Sequence, residues 1–69
     1  MNIGNEFRFD LWLYNEMQKR GFNKTEMAEA SGVSIQAIMH YLNNKRLPTL
    51  RTLIAILDAF DMRIDFVSR

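Results

Sequence analysis

The stretch that decides the fold is Asn23–Tyr41, NKTEMAEASGVSIQAIMHY. It predicts two short helices joined by a tight turn at Gly32, because glycine takes the left-handed conformation without a Cβ clash. Ala28 is small enough to let the second helix cross closely above the first. Val33 is placed to fill the angle between the helices, and Ile38 is placed to point back into the core.

Two helices joined in this way predict a helix-turn-helix core over residues 23–43, an architecture that commonly places its second helix in the major groove of DNA. An ordinary helical pair in a small bundle is the alternative interpretation. The apolar spacing and the helix end signals predict four helices, over residues 6–20, 24–30, 35–42 and 50–60. Their expected N-terminal caps are Asn5, Asn23, Ser34 and Thr49.

The first predicted helix is apolar on more than one side. One stripe consists of Phe9, Leu13 and Met17, and a second stripe consists of Phe7, Leu11 and Tyr14, with Trp12 between them. We therefore expect this helix to be covered on more than one side. Its aromatic side chains are expected in the core, and a ligand site built from them is the less favoured interpretation.

The C-terminal residues 62–67 change period, since Ile64 and Phe66 alternate with Arg63 and Asp65. This alternation predicts a short β-strand, which needs a pairing partner that the rest of the chain does not offer. The partner would be the same strand of a second copy or a strand of another protein, and a disordered tail is the alternative. The predicted fold is thus all-α, a single four-helix domain over residues 1–69 with a short C-terminal strand.

Composition excludes several classes of protein. The 69 residues suit one domain, and the absence of cysteine excludes a disulfide scaffold and a thiolate zinc site and fits a reducing cytoplasm. No apolar run approaches the about 20 residues of a membrane span, and the N-terminus lacks the pattern of a signal peptide. His40 is the only histidine and no serine has an identifiable base, so we expect no metal, no cofactor and no enzyme.

The charge is unevenly distributed. The net charge is only +1, but residues 19–51 hold six basic and two acidic side chains, a local net charge of +4. A local basic surface can meet phosphates even when the whole chain is nearly neutral. A solvated surface of mixed charge is the alternative.

The motifs MAEASGVS at 27–34, Ile38 and NNKRLPTL at 43–50, followed by a leucine-rich helix, resemble the Cro/CI-type (XRE) helix-turn-helix family of phage repressors and bacterial regulators. The resemblance covers residues 22–61. The closing FDMRIDFV is similar to the C-terminal strand of HipB-type antitoxins, which dimerise by pairing that strand. The resemblance implies a small cytoplasmic regulator, expected from a temperate phage or prophage.

The predicted DNA-reading face lies on the third helix. At about 100° per residue, Gln36, His40 and Asn43 point away from the expected core. The resemblance implies that Ile35, Gln36 and His40 reach base edges, with Lys24 and the loop after the helix on phosphates. The predicted DNA-contact set is Lys24, Ser34, Ile35, Gln36, His40, Asn43, Asn44, Lys45 and Arg46. Plain surface roles for Gln36 and His40 are the alternative.

Three departures from the family pattern keep a second function open. Ile35 and Met39 form an apolar edge on the third helix. Met17 and Leu42 stand where many relatives pair an arginine with a glutamate, and we expect them to pack together. Ser31 stands where an apolar residue is usual. The chain is therefore expected to be either a dimeric reader of operator DNA, or a modulator of repression or antitoxin. The latter would bind a repressor or toxin protein through the apolar edge of the third helix, the first helix or the tail strand. The predicted partner contacts are Ile35, Met39, Ile64 and Phe66.

Overall fold

The computed structural model of the chain describes residues 7–65, and this part is all-α. The four helices are α1 (Phe9–Arg20), α2 (Lys24–Ser31), α3 (Ile35–Leu42) and α4 (Leu50–Ala59). The third helix packs against both α1 and α2, and α4 packs against α2. The bounds of α2, α3 and α4 agree with the predicted ones to within one residue.

Three of the helices begin at the predicted caps. The Asn23 side chain accepts a hydrogen bond from the Glu26 amide at 2.8 Å, while the Glu26 carboxylate accepts one from the Asn23 amide at 2.9 Å. Ser34 and Thr49 each accept a hydrogen bond from the amide three residues further on, at 3.1 Å and 3.3 Å. These bonds satisfy amides that a helix leaves without an internal partner, which confirms the three predicted starts.

The start of α1 differs from the prediction, because Phe7 and Arg8 are not helical and the helix begins at Phe9. Arg8 has an extended backbone, with φ −110° and ψ 99°, and its carbonyl accepts the first helical hydrogen bond. Its guanidinium also donates to both oxygens of Asp10, at 3.1 Å and 2.8 Å. This ion pair stabilises a non-helical Arg8 in front of the first turn. The predicted cap, Asn5, lies outside the described residues.

The core is formed by the first stripe of α1 together with one face of each other helix. Its buried apolar members are Phe9, Leu13, Met17, Met27, Ile38, Tyr41, Ile56 and Phe60. Phe60 stacks on Phe22, with ring centroids 6.1 Å apart, and meets the edge of Trp12 at 5.8 Å. The core role expected for the α1 aromatics therefore holds for Phe9, which is buried, and for Trp12, which packs against this cluster.

The second predicted stripe is uncovered within residues 7–65, so the described part of the chain covers α1 on one side, and cover of the other side by a partner stays a prediction. Phe7, Leu11 and Tyr14 are each more than half exposed. The third helix and the end of α4 both pack on the side of α1 that carries the first stripe, and neither covers the opposite side.

The C-terminal strand is not supported. Residues 62–65 have no regular secondary structure and pair with no other segment among residues 7–65. The α4 helix instead ends at a tight reversal, in which Asp61 takes a left-handed backbone and the Met62 amide returns to the Leu57 carbonyl at 2.8 Å. Residues 66 and 67 of the predicted strand lie outside the described residues.

Candidate nucleic-acid interface

The turn between α2 and α3 sets the direction of the third helix. Gly32 has φ +75°, and its amide donates to the Ala28 carbonyl at 2.9 Å. The structure gives a reason for the serine at position 31, where the family pattern has an apolar residue. Its hydroxyl donates to the Met27 carbonyl at 2.7 Å and accepts from the Val33 amide at 3.2 Å. The turn is therefore held by hydrogen bonds at a position where apolar packing is usual.

The outer face of α3 is polar and exposed, because Ile38 and Tyr41 bury the opposite face. Gln36, His40 and Asn43 are exposed, as predicted. Together with Met39 and Lys45 they line one shallow depression. The structure thus brings two predicted DNA contacts on α3 and two that directly follow the helix to the same place.

The loop after α3 is held by backbone hydrogen bonds. Asn44 takes a left-handed conformation, with φ 59°, as expected for an asparagine that ends a helix. The reversal returns the Lys45 amide to the His40 carbonyl at 2.9 Å. The Lys45 backbone is therefore held close to the last turn of α3, and Arg46 follows it on the exposed loop.

The basic side chains divide into paired and unpaired groups. Lys19 and Arg20 both bind the buried Glu16 carboxylate, at 3.1 Å and 3.2 Å. Arg20 also donates to the Phe60 carbonyl at 3.0 Å and lies over the Phe60 ring, so it joins the ends of α1 and α4. Two of the six basic side chains counted in residues 19–51 are therefore held in ion pairs within the domain.

The cations predicted to meet phosphates belong to the unpaired group. Lys24 is exposed at the start of α2, and Lys45 and Arg46 are exposed after α3. None of the three forms an ion pair with another described residue. Ser34 is also exposed, but its hydroxyl caps α3. These cations are free to bind an external anion.

The predicted apolar edge of α3 is present but small. Ile35 and Met39 are each 41% exposed and lie one helical turn apart. Met39 lines the same depression as Gln36 and His40, so this edge is continuous with the polar face. Apolar side chains with a greater exposed fraction lie elsewhere, on α1 and around the start of α4.

Two further expectations concern packing. Met17 is buried, Leu42 packs against the core cluster that contains Met17, and both line one cavity beside α1, an arrangement compatible with the expected contact between them. Ile64 is half-buried and lines an apolar cavity with Leu50 and Ile54 of α4. Phe66 lies outside the described residues, and pairing of the tail with another chain stays a prediction.

Sequence reasoning offered the first helix as a possible docking surface but did not identify which of its residues are exposed, and these are Leu11 and Tyr14. The signal of this exposed face was present in the sequence, because Phe7, Leu11 and Tyr14 are spaced as one helical stripe separate from the core stripe. Within residues 7–65, no other helix covers the side of α1 that carries Leu11 and Tyr14. Two apolar stripes on one helix of so short a chain therefore indicate an exposed surface.

Comparison with protein families decides between a helix-turn-helix and an ordinary helical pair, since the helix-turn-helix family matches residues 13–67. The chain belongs to the XRE-type helix-turn-helix family. No curated protein and no solved structure gave a significant match. Members of this family are DNA-binding transcriptional regulators, and the match covers all four helices from Leu13 of α1 onward.

In this helix-turn-helix protein, α3 is the second helix of the motif. Gln36, His40 and Asn43 lie on the side that faces away from the core. Within residues 7–65, none of the helices has the length and apolar character needed to cross a membrane.

Proposed function

We propose that this protein is a transcriptional regulator that reads operator DNA through α3. The observation that carries the proposal is the depression lined by Gln36, Met39, His40, Asn43 and Lys45. It joins side chains that can read base edges to a cation that can bind a phosphate. Phosphate contacts position such a protein on the duplex, and contacts to base edges specify the sequence.

Each exposed side chain of α3 has a suitable partner in the major groove. The Gln36 amide can bond N6 and N7 of an adenine together, and His40 can donate to a guanine N7 or to a phosphate. Ile35 and Met39 can contact thymine methyl groups, which are the apolar feature of that groove. Lys24, Lys45 and Arg46 would neutralise phosphates on either side.

The location of Met39 favours DNA over a protein as the target of α3. A protein-docking site has an apolar centre with a polar rim, whereas here a single methionine lies among polar and basic side chains. A homodimer would present two copies of α3 to successive major grooves, about 34 Å apart. The most specific form of the proposal, drawn from the family resemblance, is a Cro-like role in a phage-type genetic switch.

The test is binding of labelled DNA from upstream of the protein's own gene, measured by fluorescence anisotropy. Gln36→Ala should cost about 1–3 kcal/mol for the operator and relax the preference at one base pair. Gln18→Ala is the matched control, because Gln18 is an exposed glutamine on α1. Equal losses for the two variants, or no operator binding by the wild type, would refute the proposal.

A second candidate function is binding of a partner protein, as a modulator of repression or as an antitoxin that also autoregulates its operon. The exposed Leu11 and Tyr14 of α1, with the exposed Phe7 just before the helix, favour it, because aromatic side chains are enriched at protein interfaces. The test is calorimetric titration with the product of the adjacent gene. Leu11→Lys should abolish that binding while Met39→Lys retains it, and the reverse order would assign docking to α3.

A further inference from the structure

The exposed face of α4 combines two apolar side chains with one charge of each sign. Leu50 is 59% exposed and Ile54 is 44% exposed. Arg51 and Asp58 are also exposed, and at about 100° per residue all four fall within one arc of the helix surface. The buried Ile56 and Leu57 hold the other side of α4 against the core.

Both charges are placed unfavourably within their own helix. Arg51 lies in the first turn of α4 and Asp58 lies in the last. The helix dipole favours anions at the first turn and cations at the last, so each side chain opposes it. Neither forms an ion pair within residues 7–65. Arg63 lines the same cavity as Asp58, but the carboxylate that it approaches, at 3.9 Å, is that of Asp65.

We infer that this face of α4 packs antiparallel against the α4 helix of a second copy, around a two-fold axis close to Ile54. A two-fold interface uses the same patch on both copies, so residues on either side of the axis exchange partners. Arg51 and Asp58 lie at nearly equal distances on either side of Ile54. Each Arg51 therefore faces Asp58 of the other copy, and the dimer contains two such contacts.

The antiparallel arrangement also places Arg51 and Asp58 favourably with respect to the helix dipoles. In an antiparallel pair, the first turn of one helix lies beside the last turn of the other. Arg51 then approaches the negative end of the other helix, and Asp58 approaches its positive end. A parallel pair would bring like charges together. The charge pattern thus selects a second copy in one orientation, and it does so independently of any role in DNA binding.

The apolar residues fit the same register. The two Ile54 side chains meet near the axis, and Leu50 of one copy lies beside the last turn of α4 in the other. An apolar cavity opens there, lined by Leu50, Ile54, Leu57 and Ile64 with Asp58 and Arg63 at its edge. Leu50 of the second copy would fill this cavity, so the most exposed apolar residue of α4 becomes buried.

The decisive experiment uses two charge-reversal variants, Arg51→Asp and Asp58→Arg, studied by sedimentation equilibrium without DNA. Each variant alone brings like charges together at both contacts. The dissociation constant of each homodimer should rise about tenfold or more relative to the wild type. An equimolar mixture restores two opposite-charge contacts, so it should form a heterodimer with wild-type affinity, which native mass spectrometry identifies by its mass.

Ile54→Asp tests the apolar centre and should also give the monomer of 8.2 kDa. Leu11→Asp is the matched control, because Leu11 is a similarly exposed aliphatic residue on α1, and it should remain dimeric. Circular dichroism melts establish that all four variants are folded. A monomeric wild type, unchanged dissociation constants for the two charge variants, or a mixture that associates no more tightly than either variant alone would overturn the inference. So would loss of DNA affinity by Arg51→Asp at unchanged mass, which would make Arg51 a phosphate contact.

Discussion

Replacing Lys45 by glutamine tests whether the unpaired cations meet phosphates. Lys45 lies at the edge of the depression on α3, and its amide is held by the His40 carbonyl at 2.9 Å. Its side chain forms no ion pair within residues 7–65. The substitution therefore removes one positive charge and disturbs no structural contact seen there.

The magnitude follows from the number of free cations. Lys24, Lys45 and Arg46 give three candidate phosphate contacts in each protomer, and a homodimer would present six. The logarithm of the binding constant should then fall with the logarithm of salt concentration with a slope of about −5. Lys45→Gln removes two contacts from the dimer and should make this slope shallower by about 1.8.

The assay is fluorescence anisotropy with a duplex of arbitrary sequence, titrated at several salt concentrations. Lys19→Gln is the matched control, since it makes the same change in net charge at a lysine that Glu16 holds at 3.1 Å. Its slope should equal that of the wild type. If both variants flatten the slope equally, net charge governs binding, and the assignment of Lys45 to the interface is wrong.

Three further predictions concern the turn, the ion pair before α1 and the apolar edge of α3. Gly32→Ala should lower the free energy of unfolding by about 1–2 kcal/mol, as measured by urea denaturation. The added Cβ meets nothing within 4 Å, so only the left-handed backbone opposes it, and a neutral result would contradict that conformation. The hydrogen bonds from Arg8 lower the pKa of Asp10, so wild-type stability should decline as the pH falls below about 3.9, the value in an unfolded chain. Asp10→Asn should remove part of that decline, and an unchanged pH profile would exclude the ion pair as its cause. Replacing thymine by uracil in the operator, at the positions facing Ile35 and Met39, should lower the affinity of the wild type. An Ile35→Ala/Met39→Ala double variant should bind the thymine and uracil operators with equal affinity. If that variant still prefers thymine, other residues contact the methyl groups.

The sequence was sufficient to predict the helix-turn-helix and the ends of α2, α3 and α4. Those ends depend on local contacts, such as the bonds between Asn23 and Glu26. The start of α1 was predicted too early, because its apolar pattern continues through Phe7 while Arg8 is extended and bound to Asp10. Apolar periodicity alone does not indicate where a chain leaves the helical conformation.

The polar face of α3 could also be predicted, since burial of Ile38 and Tyr41 leaves Gln36, His40 and Asn43 outside. The sequence could not show which of the basic side chains are free of ion pairs. The segment charge of +4 includes Lys19 and Arg20, and the structure assigns both to Glu16, a residue outside that segment.

The sequence by itself determined where most helices begin and end, because caps and turns depend on neighbours within about four residues. The tertiary structure decided which surfaces remain available. Two stripes of α1 have similar apolar character, and packing against α3 buries the stripe of Phe9 while it leaves that of Leu11 exposed. Likewise, only the packing of α4 leaves Ile54, Arg51 and Asp58 together on an open face. Burial depends on residues distant in the chain, so periodicity can identify an apolar stripe but cannot say whether anything covers it.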